Sequence, residues 1–302
     1  MVTHTLDLDR TLGFAIPGRS ARGRMVRLGP VLDQVLTAHA YPPPIEALLA
    51  EALTLAALVG STLKDSSGQL TMQTRSDAGV VRLLVCDYRG GELRGYIDYD
   101  ADRLAELPAT PTLFALFGQG YLAITFDLAT TGERYQGIVP LDGDTLGDAV
   151  ESYFTQSEQI PTLVRVGVRK GRDGHHVAGG VFLQHLPEGE DGRERLHTRL
   201  DHPEWEHVAA LGGTMGVDEL ADATLPLETL VWRLFNEEDE VRALASVRLS
   251  RGCRCTAEHI RGVIEKFGVE ERREMADDQG IIRVDCAFCA RSFPVAAELD
   301  AM

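Results

Sequence analysis

The chain reads as an α+β protein: an N-terminal mixed or antiparallel sheet packed with helices, a helical linker, and a small C-terminal four-cysteine zinc domain. Three observations predict this. Four of the five cysteines fall near the C-terminus, as Cys253-Arg254-Cys255 and Cys286-Ala287-Phe288-Cys289. Residues 69–186 carry short runs of alternating apolar and polar side chains joined by Gly-containing turns, the period-two mark of half-buried antiparallel strands. Glu188 to Glu240 holds fifteen Asp and Glu against four Arg and no Lys, which sets it apart from both flanks. The expected divisions are 1–187, 188–249 and 250–302.

Within the first division, residues 31–39 suit a short helix that Tyr41-Pro42-Pro43-Pro44 stops. Residues 45–63 form a strong helix, rich in Ala and Leu, with Glu46 and Glu51 in early turns where the helix dipole favours them. The same carboxylates, and too short an apolar run, make it a core helix rather than a membrane span. Strands are expected over 69–74, 80–88, 92–97, 122–128 and 135–139. A helix over 145–157 follows, then strands over 162–168 and 177–186. A sheet with helices packed on it is the economical arrangement. The division lacks a Gly-x-Gly-x-x-Gly loop, a P-loop, a Gly-x-Ser-x-Gly elbow and a His-Glu-x-x-His helix, so no enzyme and no catalytic residue are expected. His175-His176, between Gly174 and Val177, reads as a hairpin tip rather than a metal pair. Cys86, after the apolar run Val81 to Val85, reads as a buried and inert thiol.

The acidic segment opens with Glu188-Gly189-Glu190-Asp191-Gly192 and has helical patterns over 204–211 and 225–235. Self-repulsion and modest hydrophobicity leave it marginal alone. Two readings stand: a solvated helical linker, or a segment that folds only while docked on its neighbours through Leu227, Leu230, Val231, Trp232, Leu234 and Phe235.

In the last division each cysteine pair sits in a turn-prone setting, after Ser250-Arg251-Gly252 and after the alternating Ile281-Ile282-Arg283-Val284. Between them, Ile260, Val263, Ile264 and Phe267 fall at helical spacing, and residues 269–275 make a second short amphipathic piece. Four thiolates close a tetrahedral shell around one zinc ion at about 2.3 Å. So small a domain has few core residues and leans on its metal, which contributes an apparent ~10–16 kcal/mol in structural sites. The formal charge of −16 argues against a nucleic-acid partner. The N-terminus lacks the apolar segment of a secretory signal, so a cytoplasmic location with reduced thiols is expected. Cysteines two or three positions apart also come close enough for local disulfides, so oxidation offers an alternative to the metal.

Beyond the cysteine pairs, the run Tyr135-Gln136-Gly137-Ile138-Val139-Pro140-Leu141 and the run from Tyr153 to Thr162 resemble the heat-shock protein 33 family. Ala178-Gly179-Gly180 and Val231-Trp232-Arg233-Leu234-Phe235 extend the resemblance across nearly the whole chain. The family comprises redox-regulated holdase chaperones of the bacterial cytosol. The resemblance implies that Cys253, Cys255, Cys286 and Cys289 bind one Zn2+ in a reduced, inactive state. It implies that oxidative stress converts them to Cys253–Cys255 and Cys286–Cys289 disulfides. Zinc then leaves, the linker unfolds, and the active form, usually a homodimer, binds unfolded client proteins; no membrane partner is implied. Two other readings are a thiol-disulfide oxidoreductase and a binding module with purely structural zinc. The first needs a thioredoxin-like setting with Cys286 at a helix N-terminus, whereas here the motif follows a strand.

Overall fold

The computed structural model describes residues 8–186 and 201–298, in two compact units that meet between Arg251 and Gly252. In chain order the first unit begins β1 (Arg10–Ile16), β2 (Ala21–Leu28), α1 (Pro30–Leu36), α2 (Pro43–Gly60), β3 (Gln69–Ser76), β4 (Val81–Arg89) and β5 (Glu92–Tyr99). Two short helices, α3 (Ala101–Ala105) and α4 (Leu113–Phe117), lead to β6 (Gly120–Leu128), β7 (Glu133–Pro140), α5 (Leu146–Tyr153), β8 (Thr162–Lys170) and β9 (His176–His185). The unit ends with α6 (Pro203–Gly213), α7 (Val217–Leu220), α8 (Leu227–Phe235), β10 (Arg242–Arg248) and β11 (Ser250–Arg251).

These strands make two sheets where the sequence suggested one. The first has the order β10-β1-β2-β9-β8 and the second β11-β5-β4-β3-β6-β7. All pairings are antiparallel except β11 with β5, where Ser250 lies beside Glu92. The α+β class with helices packed on sheets is therefore as expected. Helix α2 runs between the sheets. By length and composition it is able to cross a bilayer, yet 72% of it is buried inside the protein. Burial on all sides explains an Ala- and Leu-rich helix with little amphipathic character. Its Leu49, Leu53 and Leu58 join Val26, Leu28, Leu84, Ile97, Ile124 and Phe182 in the larger core. Glu51 is the polar exception. Its Oε1 accepts the Gly147 amide at 3.2 Å at the start of α5, and burial raises its pKa to about 7.

The recurrent runs have packing reasons. A Cβ at Gly137 would strike the ring of Tyr153, so the glycine makes room for that buried side chain. Tyr153 in turn donates to Glu158 at 2.8 Å. In the β8–β9 ladder Gly167 pairs with Gly179, and Val166 with Gly180. Gly180 faces Thr54 and Leu58 of α2, while a Cβ at Gly179 would collide with the Leu220 carbonyl of α7, and one at Gly167 with that of Val217. The paired glycines let helices approach the first sheet from both faces.

Helices α6–α8 cover the outer face of that sheet. Trp205, Val208, Met215, Leu220, Leu227, Leu230, Val231 and Phe235 form a second core with Leu12, Phe14, Ile16, Met25, Leu163, Val181 and Leu183. Three expectations change here. Trp232 is 66% exposed and points away from the docked face, which α8 presents through Leu227, Leu230, Val231 and Phe235. The segment assigned to a helical linker also contains β10, an edge strand paired with β1. Strands β1 and β2 were not expected, because their alternate positions carry Arg and Gly, which mask the period. The stretch 188–192 lies outside the described residues.

The second unit contains α9 (Ala257–Ile264), α10 (Val269–Met275) and the hairpin β12 (Ile281–Asp285) with β13 (Ser292–Ala296). Its core centres on Ile264, Ile282, Val295 and Ala297, with Ile260, Ala276 and Val284 partly buried around them.

Candidate metal centre

The β12–β13 hairpin presents one cysteine pair. Cys286 ends the paired region, its amide donating to the Arg291 carbonyl at 2.9 Å. The chain then turns tightly, with Ala290 N–H donating to Cys286 O at 2.8 Å and Ala290 itself at φ 54°. That left-handed residue lets the knuckle close and aims the amides of Phe288 and Cys289 at Cys286 Sγ. The other pair lies in the extended stretch ahead of α9. Thr256 caps this helix, its Oγ1 accepting the His259 amide at 3.1 Å, so Cys255 ends the approach to a fixed helix start.

The two pairs converge. Cys253 Sγ lies 3.1 Å from Cys255 Sγ and 3.6 Å from Cys286 Sγ, and Cys255 Sγ lies 3.4 Å from Cys289 Sγ. All four sulfurs fall within 4.8 Å of one another, and all four residues are half-buried. Sulfurs at 2.3 Å around a tetrahedral zinc stand about 3.8 Å apart, so a small outward movement seats the ion. The donor set, four soft sulfurs and no oxygen, suits zinc over magnesium or calcium. The neighbouring pairs are about as close across the two motifs as within one, so distance alone does not select a disulfide pairing.

The electrostatics favour a cation. Burial opposes ionisation of Cys253, but donors from the Cys255 amide and from Cys255, Cys289 and Cys286 bring it down to about 7. Burial, followed by hydrogen bonds to its neighbours, pushes Cys255 up, and burial pushes Cys286 up as well. A first thiolate thus makes a second harder to form. A divalent ion held by Cys253, Cys255, Cys286 and Cys289 would supply the positive charge that four thiolates need.

The other candidates are placed elsewhere. Cys86 is fully buried in β4 and burial pushes its thiol well up, as expected of an inert strand cysteine. The β8–β9 turn closes through Gly171 and Gly174; His175 ends the turn and His176 starts the return strand. Both serve Asp33: His175 Nδ1 lies 2.7 Å from Oδ2, and the His176 amide donates to Oδ1 at 3.0 Å. They anchor the hairpin on α1.

A larger two-sheet unit followed by a small module whose four thiols converge on a site able to hold a metal ion defines the class of protein. The model of the Hsp33 protein family matches residues 9–295, and the chain belongs to that family. A 33 kDa chaperonin of Caulobacter vibrioides is 42% identical over 298 residues, spanning 96% of this chain and 95% of its own. One of Pseudomonas fluorescens is 35% identical over 295 residues, spanning 97% and 92%. The crystal structure of the 33 kDa chaperonin, a heat shock protein 33 homolog, of Thermotoga maritima shares the fold. Its TM-score is 0.78 over 96% of this chain and 95% of that one, at 21% identity. The family expected from the sequence is the family found, and a chaperone role follows from it.

Sequence reasoning passed over Arg10, Arg19, Arg27 and Arg169, which hold the cover of the first sheet. A signal was present: between Arg10 and Arg27 there are five Arg and no acidic residue, in a strongly acidic chain.

Proposed function

We propose that this protein is an oxidation-activated, ATP-independent holdase of the cytoplasm, silent when reduced and zinc-bound. It is a chaperone and not an enzyme. Residues 1–187 carry the client-binding core, 188–249 the detachable cover and 250–302 the switch. The observation that carries this reading is the convergence of four thiols in a unit whose buried apolar side chains, among the described residues, are Ile264, Ile282, Phe293, Val295 and Ala297. Such a core is too small to hold the unit without help.

Zinc bound by Cys253, Cys255, Cys286 and Cys289 keeps the sulfurs as thiolates, the form that oxidants attack. One cysteine sulfur displaces hydroxide from a peroxide and becomes a sulfenic acid. Its partner in the same motif then attacks that sulfur, water leaves, and one disulfide forms at the cost of two electrons passed to the peroxide. Cys253–Cys255 and Cys286–Cys289 are the pairs, so two peroxides are consumed per chain. Each new disulfide closes only a short loop and cannot replace a centre that joins positions about thirty residues apart. The second unit loosens, α6–α8 lift from the first sheet, and the uncovered apolar face binds unfolding clients, with a homodimer as the active form. The net charge of −16 keeps so adhesive a state soluble.

The test is zinc release and suppression of aggregation of a chemically unfolded client, before and after peroxide treatment of the zinc-loaded chain. One zinc released per chain with gain of holdase activity, both reversed by thiol reductant, is the expected result. Zinc retained with no activity gained would leave a structural metal site.

A further inference from the structure

The cover of the first sheet is held at its rim by charge. Arg10, Leu12, Phe14 and Ile16 alternate onto one face of β1, and Ala21, Met25 and Arg27 onto the same face of β2, so cations and apolar floor share one surface. Arg10 makes a two-pronged pair with Glu228 of α8 at 2.9 and 2.6 Å. Arg19, in the β1–β2 turn, reaches Glu204 of α6 at 2.5 Å and Glu238 beyond α8 at 2.7 Å. Arg169 of β8 meets Asp218 of α7 at 2.5 Å. Arg27 is 2% exposed and donates to the carbonyls of Leu220 and Glu219, each at 3.1 Å, and to that of Leu225. Each of the three helices therefore brings the same pattern to this face: apolar side chains at the centre and a carboxylate at the edge.

We propose that this face, once uncovered, selects unfolded polypeptide segments whose apolar residues are flanked by Asp or Glu, and that α6–α8 occupies it as a built-in mimic of such a segment. The inference rests on the oxidative release of the cover proposed above. Charge complementarity carries it. Release leaves four guanidinium groups around a floor of Leu12, Phe14, Ile16, Met25, Val181 and Leu183, in a chain whose net charge is −16. Rim charges contribute more to choice of partner than to strength of binding. The whole-chain charge of −16 predicts the opposite preference, for basic flanks, so the two accounts separate cleanly.

The experiment uses the oxidised full-length protein and three labelled probes: one Leu- and Phe-rich peptide flanked by Glu, the same core flanked by Lys, and a poly-Glu peptide with no apolar residue. Three or four rim pairs worth a fraction of a kcal/mol each predict that the Glu-flanked peptide binds about tenfold tighter than the Lys-flanked one at low salt. The advantage shrinks as salt is added. It is lost in the Arg10→Gln/Arg19→Gln/Arg169→Gln variant and kept in the corresponding Arg→Lys variant, while poly-Glu binds weakly. Oxidised protein that suppresses client aggregation but prefers Lys flanks, shows no preference, binds poly-Glu as well, or binds no peptide overturns the selectivity and leaves the holdase reading standing. Oxidised protein that neither suppresses aggregation nor binds any peptide contradicts both.

Discussion

Beneath the five-stranded sheet, α2 presses Thr54 and Leu58 against Gly180 and shares one core with Val26, Leu28 and Phe182. Above it, α6–α8 rest on Leu12, Phe14, Met25 and Leu183, but with Arg–carboxylate pairs at the margin and an acidic sequence behind them. The inner cover is buried over most of its surface and apolar apart from a few groups such as Glu46 and Glu51. The outer cover is apolar on one face only, with Trp232 and the charged side chains in solvent, so it tolerates exposure. On the proposed mechanism, one sheet thus has a permanent lining and a removable one. The difference lies in amphipathicity rather than in the quality of packing, since Leu230 is as fully buried as Leu53.

That contrast is open to direct attack. Leu53→Ala should destabilise the first unit globally by about 2–5 kcal/mol, read by denaturant unfolding. Leu230→Ala removes the same chemistry but should act on docking, raising amide exchange in α6–α8 while β4 and β9 keep their protection. Equal loss of protection in all of these would make the two covers one cooperative structure.

A smaller effect, about 1–3 kcal/mol of overpacking, is expected from Gly179→Val, whose side chain meets the α7 backbone at the Leu220 carbonyl. The reduced, zinc-loaded variant should show a protease-sensitive 203–235 segment and partial holdase activity without oxidant. A variant as protected and as silent as the parent would mean that α7 is not what holds the cover down.

Proton linkage separates the covers by sign. Burial raises Glu51 to about 7, above its ordinary value of 4.5, so its charge costs stability near neutrality and the cost is relieved as pH falls through 7 toward 4.5. The hydrogen bonds from Arg10 and Arg19 hold Glu228 and Glu238 below 4.5, so they support docking above that value and lose it as pH falls further. Going from about pH 8 to about pH 5 should strengthen the inner core by roughly 2 kcal/mol relative to Glu51→Gln, in paired unfolding measurements. Acidification below about pH 4 should expose the outer helices to exchange first. The same pH response in Glu51→Gln as in the parent would remove Glu51 from the account.

What the sequence made legible follows from how each element is buried. Strands such as β3 and β5 alternate in burial, and α2 announces itself by Ala and Leu. The four cysteines, paired in sequence, come together in space. Strands β1 and β2 stay hidden because Arg22, Arg24 and Arg27 break the apolar count of β2, at positions that the fold satisfies with the Gln184 side chain, the Ser61 carbonyl and the distant Leu220 carbonyl. The split into two sheets is equally invisible, since a helix buried from both sides leaves no face to read. Trp232 is misread for a related reason: in Val231-Trp232-Arg233-Leu234-Phe235 too many residues are apolar for spacing alone to choose the docked face.

The most direct measurement is amide exchange over residues 203–235 of the full-length zinc-loaded protein, followed with zinc content and holdase activity through peroxide oxidation and thiol reduction. The account predicts protection in the reduced state, lost together with zinc as activity appears and regained on reduction, with α2 and β9 protected throughout. Activity and zinc release with α6–α8 still protected, or with α2 equally exposed, would contradict it.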